Sequence, residues 1–116
     1  MLKELKILLP TEKPGGLEAK IYAHWENSPT YTIISIVNGK VRNVSIIELG
    51  DRKLLDVILG QNVNTIIAHS LSTKALEILT KAGKKVALAP LLKVNEVLNL
   101  FLEGKICYIK LERQCT

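Results

Sequence analysis

The stretch from Asn64 to Leu88 constrains this chain more than any other. Thr65 to Ala68 is a short apolar run with β-branched residues, which suits a strand covered on both faces. His69, Ser70, Leu71 and Ser72 form a turn after it. Ala75, Leu76, Leu79 and Ala82 then recur at helical spacing, with Ile78 widening the apolar stripe. Ser72 or Thr73 is the natural N-cap, because a hydroxyl oxygen accepts from an otherwise unpaired N–H of the first turn. Gly83 suits the left-handed residue that ends a helix, and Lys85 to Leu88 reads as a second buried strand. Strand, helix and strand in this order make a βαβ unit with parallel strands and a right-handed crossover. Ligands of such units sit off the carboxyl ends of the strands. Here that edge carries His69, Ser70 and the start of a helix.

The remaining elements build outward from this unit. Leu5 to Leu9 is an apolar strand, hence central, and Pro10 to Gly16 is a loop. Leu17 to Tyr22 fits a short strand, a helical turn or irregular chain. Ala23 to Pro29 is a second loop and holds the only tryptophan, Trp25. Tyr31 to Val37 is a β-branched strand, and Asn38-Gly39 is a strong hairpin signal because both positions tolerate positive φ. Lys40 or Val41 to Glu48 is the partner strand, and Val44, Ile46 and Ile47 imply that it is well buried. Asp51 is placed to cap a helix whose inner side carries Leu54, Leu55, Ile58 and Leu59. A last helix, about Val94 to Glu103, has Val94, Val97, Leu98, Phe101 and Leu102 on one stripe and ends at Gly104. Ile106 to Leu111 can add a short edge strand. The pattern implies one domain over residues 1–116, a three-layer α/β fold around a mixed, five-stranded sheet.

Composition narrows the partners. With 47% apolar residues, the chain is not a disordered one. No apolar run approaches the roughly 20 residues of a membrane span. Glu4 and Lys6 interrupt the N-terminal apolar residues and Pro10 follows soon after, unlike a signal peptide. The expected location is therefore the cytoplasm, where Cys107 and Cys115 would stay as thiols. The net charge of +5 suits an anionic ligand, an acidic protein partner or nucleic acid, and a solvated lysine-rich surface accounts for it more simply. Its lysines are scattered, in pairs such as Lys84-Lys85, without an arginine-rich segment or aromatic platform. Single-stranded nucleic acid therefore ranks last among the partners.

Few residues can do chemistry. His24 and His69 are the only histidines. An imidazole nitrogen is a good ligand for iron, and it is equally able to fix a loop by a hydrogen bond. His69, with the hydroxyls of Ser70, Ser72 and Thr73 and the first-turn amides, could receive an anion at a helix N-terminus. Ordinary capping accounts for the same hydroxyls. The spacing of Cys107 and Cys115 matches no zinc or iron–sulfur pattern. Cys107 reads as an apolar filler and Cys115 as a tail thiol. Trp25 reads as a core plug and Glu26 as a solvent-facing residue. Asp51 and Asp56 are the only aspartates, too few for two-metal nuclease chemistry. No Walker loop, dinucleotide fingerprint or nucleophile elbow occurs, and Ser70 beside His69 is a poor catalytic pair. The chain does not read as an enzyme.

Several segments, taken in order, carry a family resemblance. They are Ile7-Leu8-Leu9-Pro10-Thr11, the block His24-Trp25-Glu26-Asn27-Ser28-Pro29-Thr30-Tyr31, the turn Asn38-Gly39-Lys40-Val41, Ala75-Leu76-Glu77 with Ala82-Gly83 and Lys85-Val86, and Leu102-Glu103-Gly104-Lys105. Over Lys6 to Ile106 the chain resembles the dinitrogenase iron–molybdenum cofactor biosynthesis family. The resemblance implies a ribonuclease H-like fold and a non-enzymatic protein that binds an iron–sulfur or iron–molybdenum cluster or a related metal species. It implies His24 as the cluster anchor; by their place at the carboxyl edge of the strand, His69 is the candidate second ligand, with Ser70, Ser72 and Thr73 around the cofactor. The other reading of the same fold is a metal-free interaction module with a second copy or an acidic protein as partner. The sequence departs from the family pattern at three places. Glu26 stands at the motif glycine, His69-Ser70 replaces a glycine-rich turn, and Leu49-Gly50-Asp51-Arg52 stands where many members have a segment rich in glycine and histidine.

Overall fold

A computed structural model describes residues 4–106, 108 and 109. The strands are β1 (Glu4–Thr11), β2 (Thr30–Val37), β3 (Lys40–Ile47), β4 (Thr65–Ala68), β5 (Lys85–Leu88) and β6 (Tyr108–Ile109). The helices are α1 (Leu54–Gly60), α2 (Thr73–Lys81) and α3 (Val94–Leu102). One mixed sheet runs in the order β3-β2-β1-β4-β5-β6. The hairpin pairs antiparallel with β1, β4 lies parallel to both β1 and β5, and β6 returns antiparallel to β5. This is the ribonuclease H-like arrangement, with six strands and not the five expected. The sixth forms because the tail folds back along β5, pairing Val86 with Ile109 and Ala87 with Tyr108.

Strand alternation sorts the core into two sides, since successive side chains point to opposite faces. Ile7, Leu9, Ile34, Ile36, Ile67 and Ala87 meet Val94, Val97 and Leu98 of α3. Leu8, Ile33, Ile66, Ala68 and Val86 meet Ile58 of α1 and Leu79 of α2 on the other side. The fold therefore has three layers, α3, the sheet, and the α1–α2 pair.

Three local expectations are corrected. The partner strand of the hairpin is the sheet edge, and it is not well buried: Val41 is 42% and Ile46 48% exposed. Its β-branched residues resemble those of a central strand, but among the described residues no strand pairs with its outer side. Asp51 caps nothing. The N-cap of α1 is Lys53, because a turn at Leu49–Arg52 comes first. Arg52 holds that turn by donating from its guanidinium to the carbonyls of Glu48 and Leu49 at 2.7 and 3.2 Å. Strand β1 runs through Pro10 to Thr11. Proline is tolerated there because β4 pairs only with Ile7 and Leu8, so no ladder bond needs an N–H from residue 10.

Leu17 to Tyr22 is irregular chain joined to its surroundings by bridges, Thr11 to Ile21 and Lys20 to Lys93. It also receives the first turn of α3. The N–H groups of Val94 and Asn95 donate to the carbonyls of Ala19 and Leu17 at 2.8 and 2.9 Å. Glu96 accepts from the N–H of Lys93 at 3.1 Å, so the start of this helix is well satisfied.

Candidate functional site

The candidate site is an open depression of about 460 Å3 where the loop after Tyr22 meets the turn after β4. Tyr22, His24, Glu26 and Asn27 line it from the loop, and Ser70 and Ser72 line it from the turn. Trp25 forms the wall toward the core. His24 and the expected Ser70 and Ser72 therefore come together although the loop and the turn lie far apart in sequence.

The loop is fixed from beneath. Trp25 is 7% exposed and meets Tyr31 edge-on, with ring centroids 6.2 Å apart. The phenol of Tyr31 donates to the carbonyl of Trp25 at 2.8 Å and accepts from the N–H of Ser28 at 3.3 Å. Ser28 donates its hydroxyl proton to the carbonyl of Thr30 at 2.7 Å. Burial raises the pKa of Tyr31 from its ordinary value of 10.0, with Glu26 adding to the rise and the bond from Ser28 opposing it. The phenol therefore stays neutral as the strut of this loop. Asn27 takes φ of 63°. That left-handed turn suits asparagine, and Glu26 before it has no positive φ.

His24 is exposed above this base, and its ring meets that of Tyr22 edge-on at 5.8 Å. Ser70 donates to the carbonyl of Ala23 at 2.9 Å. This bond ties the His24 loop to the carboxyl end of β4 and uses the serine's only proton. Ser72 caps α2 by accepting from the N–H of Ala75 at 3.1 Å, which leaves its own O–H free to donate.

His69 is turned elsewhere. Its Nδ1 lies 3.0 Å from the carbonyl of Ala89. A carbonyl only accepts, so Nδ1 carries a proton, and in the neutral ring the lone pair is then on Nε2. His69 does not line the depression, and neither does Thr73, the first residue of α2. Among the described residues, no three His, Cys, Asp or Glu side chains gather as a metal-ion site. Cys107 and Cys115 lie outside the described residues. Sequence reasoning passed over Tyr22 and the Ser70 tether. A Ser-to-carbonyl bond between residues 47 apart leaves no local pattern, whereas asparagine is itself a residue that tolerates the left-handed turn seen at Asn27.

Residues 5–104 match the family model described as dinitrogenase iron–molybdenum cofactor. The chain belongs to that family. Among curated relatives, the uncharacterized protein MJ0580 of Methanocaldococcus jannaschii is 28% identical over 113 residues, covering 90% of this chain and 92% of its own. The crystal structure of PH0822 superposes with a TM-score of 0.82 at 19% identity, over 90% of this chain and 94% of the other. The apo form of the orange protein (ORP) from Desulfovibrio gigas superposes with a TM-score of 0.76 at 17% identity, over 89% and 91%. At these identities the two structures speak for the fold. His24, Ser70 and Ser72 lie within the residues matched to the dinitrogenase iron–molybdenum cofactor family. Among the described residues, no helix of this family member is long and apolar enough to cross a membrane.

Proposed function

We infer that this protein is a single-domain, cytoplasmic carrier, not a catalyst, that holds a preassembled anionic metal–sulfur cluster of the iron–sulfur or iron–molybdenum kind. The observation that carries the reading is the exposed imidazole of His24, on a loop braced by Trp25 and Tyr31 and tied down by Ser70. A bare metal ion takes three or four protein donors, and the described residues gather no such set. A cluster brings its own bridging sulfides and needs only an open coordination position to be filled, which one imidazole can do. The free O–H of Ser72 can donate to a sulfide of the cargo. Thr73 adds a hydroxyl in the first turn of α2, and the Nε2 lone pair of His69 could ligate a cluster that extends past Ser70. The net charge of +5 suits an anionic cargo. Membership of the family supports the reading at the level of cofactor handling.

One observation favours a second reading, a metal-free interaction module whose partner is a second copy or another protein. Glu26 lines the depression, and its carboxylate opposes an anion there. Visible absorption and elemental analysis of anaerobically purified protein, before and after an iron–sulfur or iron–molybdenum cluster is offered, separate the two. Near-stoichiometric uptake that weakens in His24→Ala and less in His69→Ala supports the carrier. A wild type that stays bare supports the interaction module.

A further inference from the structure

A second concavity lies beside the first. It has a volume of about 470 Å3 and separates α1 from α2. Its walls are aliphatic: Leu54, Leu55 and Ile58 from α1, and Ala75, Ile78 and Leu79 from α2. Trp25 and Tyr31, both buried, close its base. Ile78 is 42% exposed although it belongs to the apolar stripe of α2, because α1 and α2 do not close over it. The volume falls within the range of small-molecule sites, about 300–1,000 Å3, which are mostly apolar with a few placed polar groups.

The charged groups of this groove are Lys53, Lys74 and Glu26, a positive balance. Among the described residues, neither lysine pairs with a carboxylate. Lys74 also sits in the first turn of α2, which has no acidic residue. A cation there opposes the helix dipole, which favours negative charge at that end. Such a local conflict is expected where a ligand's charge offsets it. Aliphatic walls beside two unpaired ammonium groups describe a ligand with an alkyl body and an anionic head.

We propose that the groove between α1 and α2 binds a medium-chain fatty carboxylate, its alkyl chain between Leu55, Ile58 and Ile78 and its carboxylate at Lys53 and Lys74. Glu26 limits the affinity, since it adds one negative charge to the same lining. This site is independent of the cluster reading, because neither its ligand nor its probe contains metal.

Octanoate and its uncharged counterpart 1-octanol are titrated into isotope-labelled full-length protein and followed by amide chemical shifts. Octanoate is expected to shift the amides of Leu55, Ala75 and Ile78, and to bind roughly tenfold or more tightly than 1-octanol. The double variant Lys53→Gln/Lys74→Gln should weaken octanoate about tenfold and leave 1-octanol unchanged. Glu26→Gln should tighten octanoate. Ile78→Glu, at a half-exposed position, should abolish binding of both. Equal affinity for the acid and the alcohol would overturn the proposal. So would octanoate binding that ignores the lysine pair, or shifts that fall outside the groove or do not occur.

Discussion

The two sides of the sheet are covered in different ways. On one side α3 lies flat, with Val94, Val97 and Leu98 buried and its first turn tied to Leu17 and Ala19 by backbone bonds. On the other side α1 is only seven residues long and starts without a side-chain cap, and α2 leaves Ile78 half-exposed. The open side has both concavities, and Trp25 and Glu26 line each of them. Packing is tighter under α3 than between α1 and α2, which is the side a ligand can enter.

The largest contrast should come from truncating one apolar residue on each side. Leu98→Ala should cost about 2–5 kcal/mol, because Leu98 is 3% exposed and its removal leaves a cavity under α3. Ile78→Ala should change stability by less than about 0.5 kcal/mol, as at other surface positions. Denaturant titration of both variants checks this, and similar losses would erase the distinction between the two sides.

A smaller effect belongs to the cap of α2. Ser72→Ala should cost about 1 kcal/mol, since it orphans the N–H of Ala75 at the open side. Urea midpoints measure it. Glu96→Ala should cost no more than this at the start of α3, because backbone carbonyls still hold Val94 and Asn95 there. A larger loss from Glu96→Ala would show that the closed side depends on its surface carboxylate.

The smallest effect at neutral pH is the titration of Tyr31. Its pKa is raised in the folded state above 10.0, chiefly by burial. The folded state therefore favours the neutral phenol. Its contribution is fully present below the unfolded value and is lost as pH rises from there through the folded value. Thermal melts should be insensitive to Tyr31 at neutral pH and should fall in the alkaline range. Tyr31→Phe should flatten that alkaline fall while lowering the neutral melting point, because Trp25 loses a hydrogen bond. An unchanged alkaline slope would remove Tyr31 as the neutral strut.

Much of this division was legible in the residues themselves. Thr65–Ala68 and Lys85–Leu88 fold as strands within the bounds their apolar runs define, the first buried along its whole length and the second at Val86 and Ala87, with Lys85 and Leu88 exposed. Asn38 and Gly39 take positive φ, 53° and 80°, as a tight hairpin requires. The rest depends on contacts that local pattern does not carry. Val44, Ile46 and Ile47 look the same in an edge strand as in a central one. The irregular run from Leu17 to Tyr22 takes its shape from the start of α3, and the His24 loop takes its position from Ser70. The alternation that lines up the core says nothing of His69 and Ser70, which hold different carbonyls, those of Ala89 and Ala23. This divergence separates the two histidines of the expected site into a residue of the depression and a neighbour outside it.

The central claim is that one histidine anchors a cluster at the open side. It is tested most directly by titrating an anionic iron–sulfur or iron–molybdenum cluster into the wild type and His24→Ala under anaerobic conditions, with metal content and visible absorption followed together. The expected result is about one cluster per wild-type chain, with affinity reduced at least about tenfold in His24→Ala, since losing a ligand costs at least as much as losing a partner that orients one. Equal uptake by both proteins, or none by the wild type, would contradict it.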